Sequence, residues 1–384
     1  MRLAVAATAG FALLAAAVLV PGRAEATFPG KPGKISFFRE GQIWVMNPDG
    51  SGQRQLPSGL PYATQGSYSP EGSRIVFSGR PVVGEPTEIY VMRADGTQVE
   101  RLTFSEEANR APSFLALGRQ IVFTHYDGAD DEIHVIKADG TGERPLTSNS
   151  VEDFGPSPSP DGRLLTYRRS GEIFVMNVNG SNQHALTDND VGDGQPSFSP
   201  DGRRILFARE VGMDFKFNLF VMNADGSRQR PLTTNPLVDD GVGVFAPNGR
   251  KIAFAQEQGA DYEIFKMDAD GSDPDQLTSN AVDDLGAVGW QPIVRCRGRR
   301  ATLVGTGLRD RLVGTKGRDV IVGRAGRDTL IGRGGRDLLC GGGGRDRLRG
   351  GAGRDRLLGG GGRDRCAGGP GRDRARACER VRSL

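Results

Sequence analysis

Histidine and aromatic residues are scarce in this chain of 384 residues, which contains three His, two Trp and six Tyr. His125, His134 and His184 are not accompanied by a Gly-x-Ser-x-Gly motif. The sequence therefore gives no indication of a Ser–His–Asp hydrolase or a histidine-ligated metal centre. We expect His134 to be a packing residue, because aromatic side chains stand at the same position in related segments of the chain.

Long apolar runs are also rare, and the longest lies at the N-terminus. Arg2 precedes an Ala-rich apolar stretch from Leu3 to Val20, and Ala24-x-Ala26 follows it. This order predicts a secretory signal peptide over residues 1–26. No later stretch is long and apolar enough to predict a membrane span. We expect a secreted protein, or one of the periplasm or cell envelope.

The net charge of +3 conceals a strong asymmetry. From Arg295 onward there are 24 Lys and Arg against nine Asp and Glu, a net charge of +15, which leaves −12 for the rest. At this length, two domains of opposite charge are expected. The basic domain would suit an anionic cell-surface polymer. We expect no nucleic acid, because the basic part contains no aromatic residue on which bases could stack.

Within the basic part, aspartate recurs at every ninth position without a slip. The unit reads Gly-x-x-Gly-Arg-Asp-x-U-x, where U is apolar. The aspartates are Asp310, Asp319, Asp328, Asp337, Asp346, Asp355, Asp364 and Asp373. The U positions are Leu312, Ile321, Leu330, Leu339, Leu348, Leu357, Cys366 and Ala375. A fixed nine-residue period predicts a stacked coil.

Two such units would make one turn of the coil, with U pointing inward because strand side chains alternate. The aspartates would then form two columns, with neighbours about 4.8 Å apart. Carboxylates at that distance repel by roughly 1 kcal/mol in water and roughly 3–4 kcal/mol at an effective dielectric of 20. Calcium, which takes six to eight oxygen ligands, would relieve this repulsion.

The array resembles the hemolysin-type (RTX) calcium-binding repeats over roughly residues 303–376. The resemblance implies that the eight aspartates and the turn carbonyls bind calcium. The first copy departs from the pattern, since Leu308 replaces the Gly before Arg-Asp. The alternative is a ladder of Arg–Asp pairs that makes calcium unnecessary, because an Arg precedes every aspartate.

All four cysteines, Cys296, Cys340, Cys366 and Cys378, lie in the C-terminal part. An even number in an exported protein suggests two disulfides. Three pairings are possible; we favour Cys296–Cys340 with Cys366–Cys378, which would clamp the two ends of the coil. A four-cysteine zinc site is the alternative, although no C-x-x-C spacing supports it.

A second repeat, of about 40–47 residues, fills Gly33 to Pro292. Its most regular part is a strand that ends in Asp-Gly or Asn-Gly, a strong hairpin signal, as in Ile43-Trp44-Val45-Met46 before Asp49-Gly50. Six copies occur, and a Ser-Pro-Asp-Gly type of turn precedes most of them. The third unit keeps only Gly118 of that turn.

Four short strands in each of six units predict a six-bladed β-propeller. The first unit lacks its leading strand, and a surplus strand near Gly289–Pro292 would complete it and close the ring. The unit resembles the TolB-type (PD40) propeller repeat. The expected fold is all-β: a propeller over 27–292, a linker over 293–302, and a small parallel β-roll (β-solenoid) over 303–384.

Acidic residues precede several innermost strands of the predicted propeller: Glu152, Asp153, Asp193, Asp239, Asp240, Asp283 and Asp284. Radial symmetry would place them near one mouth of the central channel, where they could bind a cation or a basic peptide. The alternative is that they are solvated loop residues, because Asp is also a turn former.

These features together predict a secreted, non-enzymatic binding protein. Since TolB-like propellers are best known for binding protein partners, the resemblance implies an extracellular or envelope protein or peptide at the propeller mouth. The β-roll would bind calcium ions. The competing hypothesis is an enzyme, a lyase or hydrolase, that acts on an extracellular polysaccharide or peptide at the same mouth.

Overall fold

The computed structural model describes residues 27–212 and 216–382. The predicted signal peptide lies outside the described residues. The described residues form β-strands, turns and loops and contain no α-helix. No helix in this part of the chain could therefore cross a membrane.

Six four-stranded antiparallel sheets form the six blades of a propeller. The strands of blades 1 to 3 are β1 (Lys31–Arg39), β2 (Gln42–Met46), β3 (Arg54–Gln55), β4 (Tyr62–Tyr68), β5 (Arg74–Arg80), β6 (Glu88–Arg93), β7 (Glu100–Arg101), β8 (Asn109–Phe114), β9 (Gln120–Tyr126), β10 (Asp131–Lys137) and β11 (Arg144–Pro145). Those of blades 4 to 6 are β12 (Asp153–Pro158), β13 (Leu164–Arg169), β14 (Glu172–Asn177), β15 (His184–Ala185), β16 (Asp193–Phe198), β17 (Arg204–Val211), β18 (Lys216–Asn223), β19 (Arg230–Pro231), β20 (Asp240–Phe245), β21 (Lys251–Gln258), β22 (Asp261–Asp268) and β23 (Asp275–Gln276).

The ring closes through β24 (Asp284–Ile293), which pairs antiparallel with β1 and completes blade 1. The predicted closure is confirmed. The strand begins five residues earlier than the sequence suggested, because Asp284 takes the same place at the start of an innermost strand as Asp153 and Asp193 do in their blades.

The alternating strand directions sort the loops onto two faces. The mouth face carries the loops that follow each fourth strand (56–61, 102–108, 146–152, 186–192, 232–239 and 277–283) and the hairpins between second and third strands. The base face carries the Ser-Pro-Asp-Gly turns and the Asp-Gly hairpins. The acidic residues singled out in the sequence lie on the mouth face.

A hairpin of β25 (Arg295–Cys296) and β26 (Arg299–Arg300) leads from the propeller into a two-sheet parallel solenoid. Sheet 1 contains β27 (Leu303–Val304), β29 (Val320–Gly326), β31 (Leu338–Gly344), β33 (Arg356–Gly361) and β35 (Arg374–Arg376). Sheet 2 contains β28 (Arg311–Val313), β30 (Thr329–Gly335), β32 (Arg347–Gly353), β34 (Arg365–Ala367) and β36 (Arg380–Arg382).

The solenoid has the predicted coil of two nonapeptides. Leu312 pairs with Leu330 and Leu330 with Leu348, so each partner lies 18 residues further along the chain. The U residues point inward and form one continuous core. The aspartates consequently stack in the two predicted columns.

Two disulfides, Cys296–Cys340 and Cys366–Cys378, join the cysteines in the pairing that we favoured. The first ties the β25–β26 hairpin to the outer face of sheet 1. There it covers Val320 and Leu338, which are buried together with Cys296. The second lies at the last coil. All four described cysteines are thus in disulfides.

The solenoid docks on the base face of the propeller near blades 2 and 3. Leu117 packs against the solenoid core, and this contact explains why the third repeat lacks the usual Ser-Pro-Asp turn. The Arg300 guanidinium donates a hydrogen bond to the Gly72 carbonyl. The Arg324 guanidinium donates one to the Pro29 carbonyl. The mouth face lies on the opposite side of the propeller from these contacts.

Candidate functional site

The two aspartate columns are held by hydrogen bonds that repeat from coil to coil. In the first column, the Asp328 Oδ1 accepts a hydrogen bond from the Asp310 backbone N–H at 2.9 Å, and the Asp346 Oδ1 accepts one from the Asp328 N–H at 2.8 Å. The second column repeats this pattern through Asp319 and Asp337, at 2.8 Å. From the second aspartate of each column onward, one carboxylate oxygen is therefore fixed by the preceding coil.

The other oxygen, Oδ2, is buried without a hydrogen-bond partner in six aspartates: Asp328, Asp337, Asp346, Asp355, Asp364 and Asp373. The first aspartate of each column differs. The Asp310 Oδ2 accepts hydrogen bonds from the Thr306 N–H and hydroxyl at 2.6 and 3.0 Å. The Asp319 Oδ2 accepts the same pair from Thr315, at 2.7 and 3.0 Å. A buried carboxylate oxygen without a partner is costly, so six positions call for a cation or a proton.

Turn carbonyls stack beside the carboxylates. A Cβ at Gly344 would overlap the carbonyl oxygen of Gly326, and one at Gly342 would overlap that of Arg324. Both glycines have positive φ angles, of 125° and 105°. Glycine is therefore required here both for its backbone conformation and for the close approach of a carbonyl. Carboxylate and carbonyl oxygens are the ligands that calcium prefers.

Burial raises the pKa of the column carboxyls. It raises that of Asp328 to about 7, with a smaller contribution from the charges of Asp346 and Asp310. It raises that of Asp337 to about 6, where Asp355 and Asp319 contribute. The pKa values of Asp346 and Asp355 are raised for the same reason. Without a cation, the columns resist full ionisation near neutral pH.

The alternative Arg–Asp ladder is not formed. Among the described residues, no column aspartate lies in an ion pair with an arginine, and the one ion pair within the solenoid joins Arg363 and Glu379. No three His, Cys, Asp or Glu side chains of the described chain lie close enough together to hold one metal ion. A cation in the columns would therefore need backbone oxygens as well as carboxylates, and the stacked turn carbonyls offer them.

On the propeller, the mouth carboxylates are paired within their own blades. The Arg169 guanidinium donates two hydrogen bonds, both of 2.6 Å, to the Asp153 carboxylate. Arg209 holds Asp193 in the same way at 2.7 Å, and Arg39 holds Asp284 in blade 1. Buried charges need such partners, so these carboxylates organise the blade rather than present free charge.

In two blades a different pair of side chains takes the place of the Arg–Asp pair. In blade 6, Gln256 takes the place of the arginine and donates to Asp240 at 2.7 Å. Burial then raises the pKa of Asp240 to about 6, with the charge of Asp239 contributing least. In blade 3, the His125 Nδ1 lies 2.9 Å from the Asn109 Oδ1. In each of these pairs within blades 3 to 6 the partners are 16 residues apart, a spacing that the sequence analysis overlooked.

An asparagine links each of several mouth aspartates to a glutamate of the preceding blade. The Asn149 side chain donates to Asp153 at 2.8 Å and to Glu132 at 3.3 Å. Asn280 likewise joins Asp284 and Glu263. Burial raises the pKa of Glu132 and of Glu263. The network ties adjacent blades together at the mouth face.

The remaining predicted mouth residues are Glu152, Asp239 and Asp283. Asp239 is buried and accepts hydrogen bonds from the Phe217 N–H at 2.9 Å and the Tyr262 hydroxyl at 2.5 Å. Glu152 and Asp283 are exposed. The ligand site at the mouth thus stays a prediction. Of the seven residues predicted to form it, Glu152 and Asp283 have exposed side chains and the other five are buried.

The mouth face also carries the large apolar side chains that the propeller exposes. Val83 and Leu237 are each 81% exposed and Phe104 is 77% exposed. Among the described residues, those on this face are Val82, Val83, Phe104, Val151, Val191 and Leu237. A shallow pocket of about 410 Å³ lies between blades 6 and 1, with Phe38, Glu40 and Asp283 in its lining. The mouth face therefore combines apolar side chains with exposed carboxylates.

The TolB beta propeller domain family matches this chain over residues 35–172 and 165–288, which is more than half of its length. The chain belongs to the TolB beta propeller family. The RTX calcium-binding nonapeptide repeat matches residues 304–339 and 341–375. Both resemblances drawn from the sequence are thus confirmed. A search of curated proteins found no match.

Solved structures show the same TolB-type fold at low sequence identity. TolB from Acinetobacter baumannii is 20% identical, with a TM-score of 0.59 over 68% of this chain and 67% of that one. A putative TolB from Agrobacterium tumefaciens is 19% identical, with a TM-score of 0.53 over 69% and 94%. A chain of a nidogen/laminin complex is 13% identical, with a TM-score of 0.53 over 67% and 98%. At these identities the likeness concerns the fold alone.

Two of the three histidines of this TolB-type propeller lie together in blade 3, where His134 packs against a neighbouring aromatic ring. The His134 ring lies 5.8 Å from the Phe123 ring, as Phe174 lies 5.8 Å from Tyr167 in the next blade. His134 thus takes the aromatic slot of its blade, as the sequence predicted. His125 lies beside this slot, with its ring 4.5 Å from that of His134 and its Nδ1 2.9 Å from the Asn109 Oδ1.

Proposed function

We propose that this protein is an exported, non-enzymatic binding protein. In this proposal the mouth face of the propeller binds a protein or peptide, and the solenoid binds calcium ions that order it. Two disulfides support export, because such bonds persist in oxidising compartments.

The calcium proposal rests on the six buried carboxylate oxygens that lack a hydrogen-bond partner. The residues that would hold calcium are Asp328, Asp337, Asp346, Asp355, Asp364 and Asp373, together with turn carbonyls. Bound calcium would supply positive charge between coils and remove the repulsion within each column. Asp310 and Asp319 would contribute less, because Thr306 and Thr315 already satisfy their second oxygens.

Calcium titration of the full, oxidised chain by calorimetry tests this proposal. The double variant Asp346→Asn with Asp355→Asn should lose calcium sites in both columns. The matched control, Asp310→Asn with Asp319→Asn, should keep nearly the wild-type stoichiometry. Equal losses in the two double variants would contradict the assignment, and an absence of saturable binding to the wild type would refute the calcium proposal itself.

The partner proposal rests on the mouth face, where apolar side chains are exposed beside carboxylates and the solenoid leaves the surface open. Protein-binding surfaces commonly expose apolar side chains with polar residues around them. The sequence before Arg295, which includes the propeller, carries a net charge of −12, and this charge favours a basic partner. We infer a peptide or protein segment that combines basic residues with large apolar ones.

Selection of displayed peptides against the full chain tests this inference. Enriched peptides should be basic and apolar, and they should bind the Phe104→Ser, Leu237→Ser double variant at least about tenfold more weakly, since buried apolar anchors dominate such interfaces. Val381→Ser is the matched control, because Val381 is an exposed apolar residue of the solenoid. Peptides that bind the mouth variant and the wild type equally would place the binding surface elsewhere.

A further inference from the structure

The outer face of sheet 2 carries two rows of exposed arginines. The residues on either side of an inward U residue point outward, since strand side chains alternate. Arg347 pairs with Arg365, and Arg365 with Arg380, so these three form one row across adjacent strands. Arg349 and Arg382 belong to the second row, with Ala367 between them. We call these five exposed residues the arginine face.

The spacing within the arginine face is set by the sheet. Neighbouring strands lie about 4.8 Å apart, and outward positions on one strand lie about 6.6 Å apart. Among the described residues, no ion pair joins any of the five guanidinium groups to a carboxylate. Their charges are therefore uncompensated within the chain, and the groups repel one another along each row.

The corresponding surface of sheet 1 is built differently. Its early strands present Val320 and Leu338, which the β25–β26 hairpin covers through the Cys296–Cys340 disulfide. The early strands of sheet 1 are thus covered by the chain itself, whereas its last strands expose Arg356, Arg374 and Arg376. Sheet 2 has no such cover, and its exposed arginines face solvent.

We propose that the arginine face binds a linear polysaccharide that carries one carboxylate on each sugar, a polyuronate. In an extended 1,4-linked chain of this kind each sugar is turned relative to the one before, so carboxylates recur on one side of the chain at every second or third sugar and can face the two arginine rows. A guanidinium group binds a carboxylate through two parallel hydrogen bonds, which an ammonium group does not do. Lys316 is the one lysine from Arg295 onward, and every other cation there is arginine.

The sequence of the solenoid favours a polysaccharide over a nucleic acid. No Phe, Tyr or Trp follows Trp290, so the solenoid offers no ring on which bases could stack. The flat grid of charges suits a stiff chain laid along the solenoid axis. This inference does not depend on a partner at the propeller mouth.

The test measures binding of the full chain to an oligomer of galacturonic acid long enough to span three coils. Calcium is kept constant, below the concentration at which it cross-links the oligomer. The triple variant Arg347→Thr, Arg365→Thr, Arg380→Thr removes one row, and threonine suits the position because Thr329 occupies the same row. Three lost exposed ion pairs should weaken binding about tenfold and reduce its dependence on salt.

The matched control is Arg356→Thr, Arg374→Thr, Arg376→Thr on sheet 1, which changes the net charge equally. We expect less than about a twofold effect, because these side chains lie on the other sheet. Circular dichroism confirms that both variants are folded. If a triple variant unfolds, the single variants Arg365→Thr and Arg374→Thr give the same comparison.

Several results would overturn the proposal. Equal weakening in the two triple variants would mean that net charge alone drives binding. Equal binding of the methyl-esterified oligomer would exclude recognition of carboxylates. Binding of polyphosphate or of phosphatidylglycerol vesicles, without binding of the oligogalacturonate, would assign the surface to a different polyanion.

Discussion

Removal of calcium should make the solenoid less stable at high pH than at low pH. The perturbation is a chelator, which leaves the column carboxyls without a cation. Burial raises the pKa of Asp328 from 3.8 to about 7 and that of Asp337 to about 6. A raised pKa in the folded state means that the folded chain binds the proton more tightly than the unfolded chain does. The associated stability is present below pH 3.8 and is lost as the pH rises through about 6 to 7.

The size of the effect follows from these pKa values. One pKa unit corresponds to about 1.4 kcal/mol, so ionisation of Asp328 costs about 4 kcal/mol and that of Asp337 about 3 kcal/mol. Both side chains are at most 2% exposed, so solvent screens them little. Together these costs are comparable to the whole free energy of unfolding of a small domain. We therefore expect the calcium-free solenoid to unfold readily in mildly alkaline solution.

Differential scanning calorimetry of the full chain measures this effect, with the solenoid transition identified as the one that calcium shifts. In chelator, the midpoint temperature of this transition should decrease as the pH is raised from about 5 to about 8. Added calcium should reverse the trend. The double variant Asp328→Asn with Asp337→Asn should remove much of the pH dependence. A calcium-free solenoid that is more stable at the higher pH would refute the reasoning, as would an unchanged pH dependence in the variant.

Three further predictions concern packing and pairing. Gly344→Ala should unfold the solenoid locally, because a Cβ there overlaps a backbone carbonyl. Gly343→Ala should have little effect, because nothing lies within 4 Å of a Cβ at that position. Limited trypsin digestion compares the stability of the two variants. Leu117→Asp should weaken the docking free energy of the solenoid on the propeller by about 2–4 kcal/mol, since it places a charge against the solenoid core. Faster hydrogen exchange at the base face would report this weakening. Gln256→Arg should stabilise blade 6 at neutral pH and lower the pKa of Asp240 from about 6, as seen by thermal unfolding at several pH values.

Each of these predictions has its own failing result. Similar digestion rates for the two glycine variants would show that the turns tolerate a side chain. Unchanged exchange in the leucine variant would show that the arginine contacts alone hold the solenoid in place. Arg209→Gln is the reverse change in blade 5 and should convert the Arg–Asp pair with Asp193 to a weaker Gln–Asp pair of the kind found in blade 6. If both variants shifted stability in the same direction, the pair would not act through charge.

Much of the fold could be predicted because periodic patterns dictate it. The nine-residue spacing of Asp and U residues determined the coil, and the cysteine positions suited one pairing at its ends. The Asp–Arg pairs of the mouth face were missed because acidic residues were considered alone. Arg169 lies 16 residues after Asp153, and Arg209 lies 16 after Asp193. This constant spacing could have identified the pairs, since it spans the first hairpin of each of blades 3 to 6.

The docking of the solenoid could not be predicted, because it depends on single departures from a repeat. Leu117 stands where related turns have an acidic residue or Asn. The structure explains this difference, because the Leu117 side chain packs against the solenoid core. Thr306 and Thr315 are similar departures, and they separate two aspartates from the other six. A repeat pattern predicts what its copies share, whereas function and assembly often depend on the copies that differ.

The contact between the two charged parts leaves both of the surfaces for which partners are proposed uncovered. No ion pair of the described residues joins the acidic propeller to the basic solenoid. Arg300 and Arg324 instead donate to backbone carbonyls, and burial lowers the pKa of Arg324 to about 10, with Asp310 partly opposing this. Salt should therefore leave the junction intact. Because the opposite charges do not neutralise each other across the junction, Glu152 and Asp283 of the mouth face and the arginine face remain exposed to solvent. Binding at either surface should weaken with salt while the junction holds.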